Sequence, residues 1–387
     1  MQHVFIVGSK GIPGAYGGYE TFVDKLTEYH QNNSELKYHV ACKNMDVPER
    51  TYHNARCFNV KVPDIGAAQA IYYDIAALND CCKYIRQHNI KKPIVYILAC
   101  RISIFCRYFQ KKIHSMGGRL YVNPDGHEWK RSKWSMPVRK YWKYSERLMV
   151  KNSDLLVCDS KNIQKYIRSD YGKYNPNTTY IAYGAESTAI EPDRIKNKYN
   201  DWLQDNNLER GRYYLIVGRF VPENNYETML REFMQSNTTR KLVVITTDNT
   251  VFYNELIDRL HFDEDERIRF TGTVYDKELL QAIREGAYAY LHGHEVGGTN
   301  PSLLEAMGAT KLNLLLDVGF NKEVGEAAAM YWSKTDGELA ALIDRADALP
   351  GEQYERYGVM AKDRIRASYS WEFISSQYES LFLGLEA

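Results

Sequence analysis

The sequence lacks most of the features that place a protein quickly. Its 387 residues include seven cysteines. These are scattered, with one adjacent pair, Cys81 and Cys82, and no C-x-x-C. That spacing is no disulfide framework and argues against a zinc site; reduced thiols in the cytoplasm fit it. No apolar run approaches the roughly 20 residues that cross a bilayer. Residues 1–8 have no basic stretch leading into a long apolar one, so no signal peptide is expected there. The formal net charge is +1, which gives no global pull toward nucleic acid, and no RNA-binding signature is present. There is no Walker A lysine, no internal repeat and no low-complexity tract. The expectation is a cytoplasmic protein, peripheral at the inner face of the cell membrane if it meets a membrane at all.

What is present is rhythm. A chain of this length exceeds one ordinary core, so two domains of roughly 150–200 residues are expected. Short apolar, β-branched runs at 3–8, 38–43, 55–62, 93–100, 119–123, 155–159 and 178–182 alternate with helix-length stretches such as 18–31 and 67–88. The pattern restarts at 213–218, 241–246, 267–271, 287–291, 312–316 and 328–332. Such alternation means βαβ units and mostly parallel sheets. The fold class is therefore α/β, with two Rossmann-like, doubly wound domains. The first is placed at 1–185 and the second at 186–365, with the polar stretch 186–211 at the junction. A helical tail, 366–387, is expected to return to the first domain. Two such domains leave a cleft at the carboxyl ends of their strands, where ligands bind in open α/β sheets.

The first strand runs into a loop with five glycines in eleven residues, from Gly8 to Gly18. Glycines let a backbone approach a ligand, and a helix follows. The spacing is G-x-x-G-x-x-G rather than the dinucleotide G-x-G-x-x-G, and strand two ends at Lys43 where a ribose-binding acid would stand. An NAD-linked oxidoreductase is thus poorly supported. The loop, with Gly11, Gly17 and Gly18, is read as facing a ligand; the plainer alternative is a βα turn.

The strand at 213–218 ends beside Arg219, whose planar fork suits a diphosphate. The strand at 287–291 leads through His292, His294, Gly297 and Gly298 to Thr299, Asn300, Pro301 and Ser302. Thr299 or Asn300 reads as a helix N-cap, Pro301 as the first helical residue and Gly308 as the residue just past the end. Open N–H groups and the dipole at such a start suit a phosphate. Glu305, about one turn in, can accept a hydrogen bond from a sugar hydroxyl, or else pair locally. His292 and His294 read equally well as site residues or as a polar loop.

In the first domain the strand at 119–123 ends in Asp125, His127 and Glu128, groups able to draw a proton from an acceptor hydroxyl or to orient it. Residues 129–144 follow, in which Trp129, Lys130, Arg131, Lys133, Trp134 and later basic and aromatic residues interleave without an acid. That mixture suits a bilayer headgroup layer, or else a solvated helix face.

Residues 301–307 (Pro-Ser-Leu-Leu-Glu-Ala-Met), the Arg219 loop and the restart near 213 resemble the GT-B glycosyltransferases of family 4, over essentially the whole chain. More narrowly, four blocks in order, 8–22, 123–131, 217–227 and 297–307, are similar to bacterial rhamnosyltransferases of capsule and cell-wall polysaccharide assembly. The resemblance implies a GT-B fold and transfer of L-rhamnose from dTDP-L-rhamnose, with retention, to a sugar (glucose or N-acetylglucosamine) on a polyprenyl diphosphate. It implies no metal and no further cofactor. Donor binding would fall to Gly11, Gly17, Gly18, Arg219, Asn224, Gly297, Gly298, Thr299, Asn300, Ser302 and Glu305, and catalysis to Asp125, His127 and Arg219. Glu128 to Trp134 would take the acceptor and membrane side. Two positions depart from the wider family: Gly297 stands where it carries a first glutamate, and Asn224 where it carries a lysine. A UDP-sugar donor on the same fold, and a catalytically inactive nucleotide-sugar-binding protein, remain alternatives.

Overall fold

A computed structural model describes residues 1–14, 17–186, 192–247 and 251–385. Ala15 and Tyr16 of the glycine loop and 187–191 of the junction lie outside the described residues. The chain divides into two compact units, one of Met1–Gly184 with Trp371–Ala387 and one of Ala185–Ser370.

The first unit is built on eight strands: β1 (Gln2–Val7), β2 (Leu36–Lys43), β3 (Glu49–Tyr52), β4 (Ala55–Val60), β5 (Ile94–Leu98), β6 (Arg119–Asn123), β7 (Leu155–Cys158) and β8 (Thr178–Tyr180). Their order is β3-β4-β2-β1-β5-β6-β7-β8. Helices α1 (Gly18–Tyr29), α2 (Gln69–Gln87), α3 (Phe105–His114), α4 (Met136–Lys151) and α5 (Lys161–Asp170) connect them. The second unit has β9 (Tyr213–Val217), β10 (Lys241–Ile245), β11 (Ile268–Phe270), β12 (Ala289–His292), β13 (Leu312–Leu316) and β14 (Met330–Trp332), in the order β11-β10-β9-β12-β13-β14. Its helices are α6 (Pro192–Asp205), α7 (Tyr226–Gln235), α8 (Val251–Leu260), α9 (Lys277–Gly286), α10 (Pro301–Ala309), α11 (Gly319–Gly325), α12 (Glu338–Asp347) and α13 (Gly351–Ser368).

The last helix, α14 (Trp371–Leu383), packs in the first unit. Its Tyr378 hydroxyl lies 3.2 Å from that of Tyr96 on β5, and Ser375 meets the His30 ring through its carbonyl at 3.1 Å. Trp371 lies against Gly184 so closely that a Cβ there would stand 2.4 Å from the indole.

Parallel strands covered on both faces need continuous apolar runs. Val4, Phe5, Ile6 and Val7 of β1 are all fully buried, as are Leu242, Val243 and Val244 of β10. β3 is the exception: it runs antiparallel to β4 at the sheet edge. Its exposed, polar sequence (Glu-Arg-Thr-Tyr) carries no buried-strand signal, so it is absent from the sequence reading. Two further details differ. His292 closes β12 and is buried, rather than lying in the loop. Gly308 lies inside α10, which runs to Ala309; Thr310 then leaves in an extended conformation (φ −83°, ψ 137°) that needs no glycine.

Among the parallel strands of each sheet the order reverses at one point: between β1 and β5, and between β9 and β12. Loops after the two strands at such a switch point leave toward opposite faces and open a crevice at the strands' carboxyl ends. The second unit places the Arg219 loop and the 293–300 loop at its switch point.

Candidate functional site

Arg219 stands two residues beyond β9 and is exposed. Among the described residues its guanidinium makes no hydrogen bond or ion pair. The loop that carries it is held from behind. Asn224 donates its amide to the Arg219 carbonyl at 2.8 Å and is 4% exposed. Asn225, in the left-handed region (φ 57°), donates to the Gly293 carbonyl at 2.7 Å. The Glu295 N–H donates to the Glu223 carbonyl at 3.1 Å. Gly293 packs on the same loop; a Cβ there would lie 2.4 Å from the Asn224 carbonyl oxygen. The two switch-point loops are thus fastened to each other. Asn224 serves this fastening, with its amide turned to the backbone.

Asn300 caps α10: its side chain accepts from the N–H groups of Ser302 and Leu303 at 2.9 and 3.3 Å. Ser302 donates its hydroxyl to the Val217 carbonyl at 3.2 Å and lies 3.1 Å from the Tyr290 hydroxyl, which ties the helix start to the end of β9. Two N–H groups that the sequence reading leaves open to a phosphate are therefore already capped, and Pro301 has none. The open donors lie one step earlier. Among the described residues the N–H groups of Gly298 and Asn300 donate to no protein group. Thr299, between them, is 4% exposed. Gly297 holds φ 142° with nothing within 4 Å of where its Cβ would be, so its conformation, not crowding, calls for glycine. Glu305 pairs with the buried Arg284 of α9 at 2.6 Å, the local pairing that was its plainer alternative.

In the first unit Gly11 is buried with φ 113°, and a Cβ there would meet the Cys42 thiol at 2.5 Å. Gly17 precedes α1 with φ 128°, and Gly18 opens the helix. The glycines at 11 and 17 thus have structural reasons. Asp125 follows β6 in the left-handed region (φ 58°), its N–H donating to Asn123 Oδ1 at 2.8 Å. Its charge acts on Tyr19 and on Arg101. His127 is also left-handed (φ 54°), with its ring centroid 4.2 Å from that of Tyr166. Burial first, then Lys130 and Lys143, push its pKa down to about 4. Glu128 is the hub of the next loop: it pairs with Arg131 and with Lys133 (2.9 Å) and accepts from the Trp134 indole at 2.8 Å. Lys130 is exposed beside Trp129, its ammonium 5.2 Å from the ring centroid.

Arg101 is a residue that sequence reasoning missed. It follows β5, the other strand at the first switch point, and donates to the Gly8 carbonyl at 2.9 Å and to the buried Asp74 at 3.4 Å. Burial raises Asp74 to about 6 against the pull of Arg101. The signal was available: an arginine just past a strand's carboxyl end, as at Arg219. Arg284 carried no such signal.

Residues 1–186 match the family described as Domain of unknown function (DUF1972). No curated protein matches the chain. Solved structures do. Sucrose-phosphate synthase from Thermosynechococcus elongatus is 16% identical, with TM-score 0.74, covering 100% of this chain and 99% of that one. A structure described as trehalose-6-phosphate from E. coli bound with UDP-2-fluoro glucose is 12% identical (TM-score 0.71, 99% of each chain). Anabaena HepE in complex with UDP is 12% identical (TM-score 0.68, 100% of each chain). The likeness shows the fold. The chain has the GT-B fold of glycosyltransferases, with two Rossmann-like α/β domains.

Proposed function

We propose that the protein is a glycosyltransferase that takes its sugar from a nucleotide donor held in the second unit. The observation that carries this is the exposed Arg219, whose guanidinium has no hydrogen bond or ion pair among the described residues, at the same switch point as the N–H groups of Gly298 and Asn300, which among the described residues donate to no protein group. A guanidinium and fixed N–H dipoles offset charge that grows on a departing diphosphate, which is where such a reaction needs stabilisation. The structural neighbours described with UDP and UDP-2-fluoro glucose support a donor of this class.

More narrowly, the donor is dTDP-L-rhamnose and the product keeps the anomeric configuration. This rests on the resemblance of the four sequence blocks. The acceptor is a sugar on a lipid diphosphate. Asp125 is the group assigned to the acceptor hydroxyl. His127, with its pKa near 4, is a weak base at neutral pH and is better suited to orienting the acceptor. No step is assigned to a metal, and transfer is expected to survive excess EDTA.

The lipid side of the reading draws on α3 and α4, which pack together. They carry eight Lys or Arg residues and one acid, Glu146, which is buried. Ile104, Phe105, Tyr108, Met136 and Tyr144 are exposed among them. Basic and aromatic side chains without acids suit an anionic headgroup layer.

One incubation tests the donor. Purified protein is given dTDP-rhamnose, dTDP-glucose, UDP-glucose or UDP-GlcNAc with a short-chain lipid-diphosphate saccharide, and products are read by mass. Transfer from dTDP-rhamnose alone is expected. Transfer from a UDP-sugar would replace the narrower reading with the second one, which the UDP-bound neighbours favour. No transfer and no hydrolysis with any donor would leave a binding protein.

A further inference from the structure

The chemistry above leaves His292 and His294 unused, yet both stand at the donor-side switch point. His292 closes β12 at 1% exposure, and among the described residues neither ring nitrogen has a hydrogen-bond partner. Buried polar atoms are rarely left so, and one that is calls for an explanation. Its ring stacks on that of His294 with centroids 4.4 Å apart and planes 11° apart. His294 is half-buried and turned toward the end of β9: a Cβ on Gly218 would lie 3.2 Å from its Cε1 and 3.8 Å from Asn224 Nδ2. Gly218 directly precedes Arg219. The backbone of His294 is fixed as well, since Asn321 of α11 donates to its carbonyl at 3.1 Å.

Resting on the nucleotide-donor reading, we infer that His294, backed by the buried ring of His292, is a second contact for the donor diphosphate beside Arg219. A diphosphate carries more charge than one guanidinium neutralises, and a charged imidazole is a strong donor to a phosphate oxygen. Burial, and then the charge of His294, hold His292 well below the usual imidazole range. His292 is therefore the neutral ring of the stack, and His294, turned toward the end of β9, is the ring placed to meet an anion. A neutral partner beneath avoids setting two like charges face to face.

The elements around His294 carry other ionisable groups. Arg219 and Glu223 lie on the β9 loop, and the Tyr226 hydroxyl from the start of α7 lies, like His294, close to Gly218. Glu295 is next in sequence and pairs with Lys334. From α11 come Glu323 and Lys322, the latter paired with Asp317. Among these residue types only histidine ordinarily changes charge between pH 5 and 8.

The test is calorimetric binding of dTDP and UDP to the full chain from about pH 5.5 to about pH 8.5, across the imidazole range. The wild type is compared with Arg219→Ala, His294→Ala, His294→Gln and His294→Lys, each checked by thermal melting. Wild-type affinity is expected to fall as pH rises, relative to His294→Lys, whose charge is permanent. That variant reports the titration of the ligand's own terminal phosphate, with a second pKa of about 6. At the acid end His294→Ala and His294→Gln should bind about tenfold more weakly than wild type, and their slope should match that of His294→Lys. If either variant melts like wild type and keeps wild-type affinity and slope, the inference is overturned while the donor reading stands. If the wild type binds neither nucleotide at any pH, the donor reading falls and takes the inference with it.

Discussion

Arg284 of α9 and Glu305 of α10 form an ion pair at 2.6 Å in which the arginine side chain is 4% exposed and the carboxylate 39%. The Arg284 carbonyl also accepts the Thr310 hydroxyl at 2.9 Å, just where the chain leaves α10 for β13. The helix behind the candidate donor site is thus pinned to its neighbour at its middle and at its end.

This arrangement sets the expected order of variants at 305. Glu305→Ala leaves a buried guanidinium without its counter-charge and should destabilise the chain by about 3 kcal/mol, the low end for a buried pair because the carboxylate is part-exposed. Glu305→Gln keeps a hydrogen bond and should cost about 1 kcal/mol. Urea unfolding gives both values. Equal stability of Glu305→Ala and wild type would show that the pair holds nothing in place.

Arg219 should behave in the opposite way. Its guanidinium makes no hydrogen bond or ion pair among the described residues and is exposed, so Arg219→Ala should melt like wild type. Its kcat/KM should nevertheless fall on the order of 100-fold, as removing a donor to developing charge generally does. Near-wild-type turnover would exclude the role given to it.

The α3–α4 face predicts salt-sensitive membrane binding. Lys111, Lys140 and Arg147 are exposed there, and each basic residue near an anionic surface contributes about 1 kcal/mol. The triple charge reversal to Glu should abolish sedimentation with phosphatidylglycerol vesicles, while transfer to a soluble short-chain acceptor persists. Lys133 is a poorer probe, because it already pairs with Glu128. Vesicle binding unchanged by the triple variant would rule this face out.

Acid should weaken the first unit. His39 packs on Phe5 with ring centroids 4.2 Å apart, and burial, with the nearby charges of His3 and Arg56, lowers its pKa to about 3. Below the unfolded value of about 6.5 the unfolded chain binds the proton and the folded chain does not, so stability is lost as pH falls from there toward 3. At pH 5 the loss relative to pH 7 is about 2 kcal/mol from this residue. His39→Phe should remove that part of the acid slope in a melting series. An unaltered slope would contradict it.

The sequence shows its α/β character because buried parallel strands must be apolar end to end, and runs such as Val4 to Val7 announce that directly. It also yields the start of α10, because the chemistry of a cap is local: Asn300 accepts from groups two and three residues on, and Pro301 follows. The edge strand β3 is silent, since nothing covers it and its residues need not be apolar. Gly308 misleads, since a glycine near a helix end signals a stop only where the backbone must turn left-handed, and Thr310 turns the other way. That Asn224 would turn its amide to the Arg219 carbonyl is a matter of side-chain direction that spacing does not carry. Composition and periodicity by themselves determined two sets of βα units and the two loops worth inspecting. The pairing of Arg284 with Glu305 and the fastening of the Arg219 loop to the 293–300 loop were decided by the tertiary structure, because strand order brings together groups that no local interaction along the chain connects.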